Sequence, residues 1–140
     1  MTGTLRIGMV GAGTMAGAHS TALINLPHLF PDLPLRSRLV AVADVDRALA
    51  ERLAARWSFE RVEPDWRTLV ASDDIDLVVV CVPPSYATEI VLAAAEAGKH
   101  VVCEKPLGTT ADEAAAMLQA CRRAGVFHGL GAGYRWSPRS

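Results

Sequence analysis

No charge of one sign dominates this 140-residue chain: 14 basic residues stand against 15 acidic ones, and the net charge is −1. These charges are spread along the sequence without a basic stripe, so nucleic acid has no electrostatic footprint to use. Long hydrophobic runs are also missing. Stretches such as LVVVCV (77–82) are far too short to span a bilayer. The opening MTGTLRIGMVGAG lacks the basic start and extended apolar region of a signal peptide, so the expected compartment is the cytoplasm. Cysteine is scarce. Cys81, Cys103 and Cys121 form no Cys-x-x-Cys pair and no zinc-like spacing with histidine, so small buried thiols are expected and no metal. Internal repeats and low-complexity tracts are absent as well.

What is present is a chain 51% hydrophobic, rich in Ala and Val, and long enough to bury the core of one domain. Short apolar runs alternate with longer helical patterns. Strands are expected at 5–10, 38–43, 76–82, 100–103 and 126–132, with a weak one at 59–62. Helices are expected at 14–26, 46–57, 85–98 and from a Thr110/Glu113 capping box to 124. Pro64 suits the first turn of a further short helix. Residues 76–82 are almost wholly apolar, as a strand covered on both faces requires. Three prolines in 27–37 argue against a continuous helix there and for an ordered surface loop. Alternation at these lengths implies right-handed βαβ units, hence a doubly wound, mostly parallel α/β sheet of about six strands.

The first strand runs into VGAGTMAG. Gly11-x-Gly13-x-x-Ala16 fits the dinucleotide-binding turn, whose last position accepts alanine. Gly11 permits the tight turn, and Gly13 lets backbone approach a pyrophosphate. Ala16 keeps the helix close to the sheet, while the N–H groups at Thr14, Met15 and Ala16 open the helix toward phosphate. Asp44 ends the second strand, where a carboxylate bonds the adenosine ribose and repels the extra phosphate of NADP. NAD is therefore expected over NADP. Asp44 also has a plainer role open to it, capping the helix near Asp46, and Arg47 is the residue through which a 2′-phosphate would be tolerated. S-adenosylmethionine is a further ligand these residues would suit, but it gives Glu104-Lys105-Pro106 no task.

With the glycine turn, Asp44 and AGKHVVCEKPL (97–107), the chain resembles the Gfo/Idh/MocA oxidoreductases over nearly all its length. GAGTMAGAHS, including His19, is similar to the family's opening turn; LVAVADVD to its second strand; IDLVVVCVPPSYATEI to its fourth strand and following helix. GYRWSP resembles the segment that enters a second domain. The resemblance implies that Lys105 is the catalytic lysine beside a nicotinamide, with Glu104 as its partner. It implies hydride transfer between NAD and a sugar, cyclitol or related alcohol/carbonyl. Val82 and Pro83 would also line the cofactor. The family often has Thr-Pro and a nearby histidine where this chain has Val82-Pro83 and Ala87, so those polar contacts have no counterpart. Residues 1–132 are expected to form the NAD(P)-binding domain and 133–140 the start of a linker. A second domain, which would complete the substrate site and support a homo-oligomer, is absent from these residues. The chain alone is then expected to bind cofactor without turnover. The alternative is a free-standing NAD-binding or regulatory module completed by a partner chain.

Overall fold

A computed structural model describes residues 3–136. The chain alternates strand and helix: β1 Gly3–Val10, α1 Thr14–Leu29, β2 Leu35–Ala43, α2 Arg47–Trp57, β3 Arg61–Glu63 and α3 Trp66–Ala71 form the first half. β4 Leu77–Val80, α4 Pro84–Glu96, β5 His100–Glu104, α5 Ala111–Ala124 and β6 His128–Gly131 form the second, and a 3-10 turn covers Gly133–Trp136. The rest of the expected linker, 137–140, lies outside the described residues. All strand pairs are parallel, in the order β3-β2-β1-β4-β5-β6. The doubly wound reading therefore holds, and the chain reverses its direction of travel across the sheet between β1 and β4.

Both faces of the sheet are covered, which is why β4 is apolar at every position. Leu77 and Val79 pack under α1 and α2 with Ile7, Met9, Val42 and Ala50. Val78 and Val80 pack under α3, α4 and α5 with Leu69, Ile90, Val101 and Met117. Full burial of each such valine contributes about 1.5–3 kcal/mol. On the outer strand the cover thins: Phe127 is 63% exposed, Leu130 48% and Tyr134 88%.

The proline-rich segment differs from expectation. Helix α1 continues through Pro27 to Leu29, which leaves only residues 30–34 as the connection to β2. Pro27 has no N–H to give the Leu23 carbonyl, four residues earlier. The Ser37 hydroxyl donates to that carbonyl instead, at 2.5 Å, so the helix passes the proline without an orphaned acceptor. Other corrections are smaller. Pro64 precedes α3 rather than opening it, because Asp65 is the cap and accepts from the Arg67 N–H at 2.9 Å. The weak strand lies at Arg61–Glu63 and the last at His128–Gly131. Thr110 caps α5 through the Glu113 N–H, while the Glu113 carboxylate reaches back to Thr109, one residue before the expected box partner.

Candidate active site at the carboxyl ends of the strands

Parallel strands carry the residue that follows each of them to the same side of the sheet. Gly11 leaves β1 at φ +96°, a left-handed conformation that strains any side chain, and its N–H donates to the Ala43 carbonyl at 2.8 Å. A Cβ at Gly11 would also lie 2.5 Å from the Cys81 carbonyl oxygen. Gly13 differs: its backbone is extended, and a Cβ there would meet nothing within 4 Å. Its lack of a side chain keeps the turn open toward the ligand side. α1 then begins without a side-chain cap and without an acid in its first turn. The first-turn N–H groups and the positive end of the helix dipole therefore remain for an anion. Thr14 and Met15 are exposed there, and Ala16 is fully buried against the sheet.

Asp44 sits where β2 ends. Its Oδ2 accepts from the Ala12 N–H at 2.7 Å, and its Oδ1 from the Asp46 N–H at 2.8 Å. The helix cap is Asp46, which accepts from the Leu49 N–H at 3.0 Å. Asp44 instead ties the end of β2 to the glycine turn. Each carboxylate oxygen keeps a further lone pair for a ligand hydroxyl. Arg47 is turned along the helix surface to Glu51, at 2.8 Å.

Past β4, Val82 is half-buried and Pro83 exposed, and the double proline starts α4 with Pro84 at its first position. Ala87 is only 2% exposed and packs into the core beneath that helix. The wall here is aliphatic, consistent with the missing polar contacts.

The end of β5 holds the charged pair. Lys105 is exposed and precedes a cis bond to Pro106. Glu104 is 8% exposed, one of two buried polar residues among those described. Its carboxylate does not pair with the Lys105 ammonium. Oε1 meets His19 Nε2 at 2.7 Å, and Oε2 accepts from the Lys105 backbone N–H at 3.2 Å. Gly131 makes room for this arrangement, since a Cβ there would collide with Glu104 Oε1. Burial, with the Glu104 charge as the second cause, raises the Cys81 thiol to about 12 and the Cys103 thiol to about 11. Burial also raises Cys121. All three therefore stay protonated at neutral pH; Cys103 and Cys121 are buried as expected, while Cys81 is half-buried.

The structure thus brings the glycine turn, Asp44, Val82-Pro83 and Glu104-Lys105 to one side of the sheet, around the β1/β4 reversal. In open α/β sheets that crevice is where ligands bind. Ala12 and Gly131 are site residues that no motif in the sequence points to. A glycine inside the last strand was the available signal for Gly131, as it marks a close approach. Nothing local marked Ala12.

Comparison with known proteins agrees. The profile of the Gfo/Idh/MocA oxidoreductase family, NAD-binding Rossmann fold, matches residues 5–132. Levoglucosan dehydrogenase of Pseudarthrobacter phenanthrenivorans is 39% identical over 137 residues, covering 96% of this chain and 34% of that protein. Inositol 2-dehydrogenase of Acidothermus cellulolyticus is 39% identical over 108 residues, covering 77% of this chain and 30% of that protein. A solved levoglucosan dehydrogenase in complex with NADH and levoglucosan superimposes with a TM-score of 0.90 at 37% identity, covering 94% of this chain and 36% of that one. The chain spans about a third of the length of the relatives it matches. Its glycine turn opens a helix start left free for phosphate, and its sequence follows these dehydrogenases through the whole sheet: the chain belongs to the Gfo/Idh/MocA oxidoreductase family and is its NAD-binding Rossmann domain.

Proposed function

We propose that residues 1–132 are the cofactor-binding half of an NAD-dependent dehydrogenase acting on a sugar, cyclitol or related alcohol. Residues 133–140 would begin the link to a second domain that completes the substrate site. The observation that carries this reading is the convergence of the glycine turn, Asp44 and Lys105 at the carboxyl ends of β1, β2 and β5. Gly11, Gly13 and the N–H groups of Thr14, Met15 and Ala16 would hold the pyrophosphate. Asp44 would accept from the adenosine ribose, and Val82, Pro83, Glu104 and Lys105 would border the nicotinamide.

A bound nicotinamide supplies a two-electron hydride acceptor or donor. Lys105 handles the proton: its Nζ, as the neutral amine, takes the hydroxyl proton as the alcohol carbon becomes a carbonyl, and the ammonium so formed returns it in the reverse direction. Lys105 forms no ion pair with a described residue. Its Nζ is then available to a substrate oxygen rather than committed to the protein. Asp44 favours NAD, because a 2′-phosphate would bring negative charge against a carboxylate whose backbone donors hold it in place. Relatives named for levoglucosan and inositol support the polyol class. Assembly into a homo-oligomer would rest on the second domain, and sedimentation of the full-length protein tests it.

The experiment is an assay of the full-length protein with NAD and with NADP against levoglucosan, myo-inositol and a panel of aldoses. Reduction of NAD with at least one polyol is expected. Binding of neither nucleotide would overturn the cofactor assignment, and tighter binding of NADP would overturn the role given to Asp44.

A further inference from the structure

We propose that His19 is a positioning residue of the lysine loop: through the Glu104 carboxylate it fixes the end of β5 that presents Lys105. This inference rests on the catalytic reading of Lys105 given above.

A buried carboxylate is costly unless its oxygens are bonded. Glu104 has two partners of different kinds, the His19 ring at 2.7 Å and the Lys105 N–H at 3.2 Å. Pro106 carries no N–H, so Glu104 holds the only backbone donor of the Lys105-Pro106 step. The carboxylate has little freedom to turn elsewhere, because the Gly131 backbone packs directly against its Oε1 side. One ring therefore decides where the carboxylate points, and the carboxylate decides where the Lys105 backbone sits.

His19 also lies on a telling element. It is in the second turn of α1, the helix whose first turn follows Gly13, while Glu104 is 85 residues away on β5. β4 runs between β1 and β5, so the contact from α1 to Glu104 reaches across the end of β4. The parallel pairing of Val80 with Cys103 sets Glu104 next to Cys81 at the neighbouring strand end. The contact joins the helix that receives the phosphates to the loop that carries the lysine. A histidine serving only to fill space would not need a buried acid opposite it.

The test uses the full-length protein and compares H19F, which keeps a ring but loses the donor, with H19Q, which keeps an N–H near the ε position. K105A is the reference. Three quantities are read: kcat with NAD and the polyol panel, the Kd for NADH by fluorescence titration, and hydrogen exchange at the Lys105 amide. H19F is expected to lower kcat by about tenfold to a hundredfold, leave the NADH Kd unchanged and speed exchange at Lys105. H19Q is expected to restore most of the loss. Wild-type kcat in H19F beside an inactive K105A overturns the proposal while leaving the catalytic reading intact. Equal loss of kcat and NADH affinity, unrelieved by H19Q, also overturns it, because His19 would then be merely structural. Full turnover by K105A defeats the catalytic reading itself, and slow Lys105 exchange in H19F would still show that the ring does not hold the loop. If H19F does not fold, H19N, too short to reach Glu104, replaces it.

Discussion

The amino ends and the carboxyl ends of the strands use charge in opposite ways. At the amino ends, charged groups are spent on one another. Arg6 binds Asp76 through its backbone N–H at 2.8 Å, Nε at 2.9 Å and Nη2 at 2.6 Å, joining β1 to the start of β4. Arg61, at the start of β3, clasps Asp74 at 2.7 Å and also meets Glu63. Lys99 donates to the carbonyls of Ser72 and Ile75, fixing the entry to β4. At the carboxyl ends the polar groups are held but not used up: α1 lacks a side-chain cap, Asp44 keeps lone pairs, and Lys105 extends unpaired among described residues. One end commits its charges to internal bonds, and the other leaves polar groups with bonding capacity that no described residue takes up. The division follows from parallel strands, since every helix that leaves a strand begins at the same side.

Substitutions at the two ends should therefore fail differently. The largest effect is expected for Lys105→Ala in the full-length protein: kcat falls by about 10²–10⁴-fold with the NADH Kd unchanged, as steady-state kinetics and titration would show. Next comes Gly11→Ala, which combines a left-handed φ with a Cβ against the Cys81 carbonyl. A stability loss of about 2–4 kcal/mol in urea unfolding should accompany loss of NADH binding. Asp44→Ala should weaken NAD binding by about tenfold, more than it weakens NADP binding; equal effects would remove Asp44 from cofactor choice. Asp76→Asn, at the other end, should lower the unfolding midpoint and leave NADH affinity alone. A change in affinity there would break the division between the two ends.

The smallest effect is the pH dependence. Arg61 and the Ser72 hydroxyl hold the Asp74 carboxyl well below the usual carboxylate range, and hydrogen bonds from Arg6 lower Asp76. Groups with depressed folded values contribute stability that is complete above the unfolded value near ~4 and lost as pH falls below it. Urea midpoints should thus hold from pH 7 down to about 5 and drop toward pH 3. Asp76→Asn should flatten part of that drop.

The fold was largely legible in the sequence because both of its signals are local. Apolar runs and helical periodicity gave six strands and five helices nearly in place, and Gly11 and Gly13 sit where a strand turns into a helix. The errors have physical causes. Pro27 argued for a loop because its lost hydrogen bond was weighed without Ser37, which supplies the replacement donor from the next strand. Asp44 was correctly placed at a strand end, yet its bond to Ala12 spans 32 residues and has no local trace. The family resemblance implies Glu104 as the partner of Lys105, whereas its carboxylate turns to His19, 85 residues away in sequence.

What the sequence determined by itself is the set of strand-end residues, Gly11, Gly13, Asp44 and Lys105. A parallel sheet gathers such positions on one side whatever the packing details. What tertiary structure alone decided is which of them touch. The His19–Glu104 pair, the fit of Glu104 against Gly131 and the Asp44–Ala12 bond join different elements, and their distances depend on strand order and register. Periodicity along a chain measures direction within one element and carries no distance to the next.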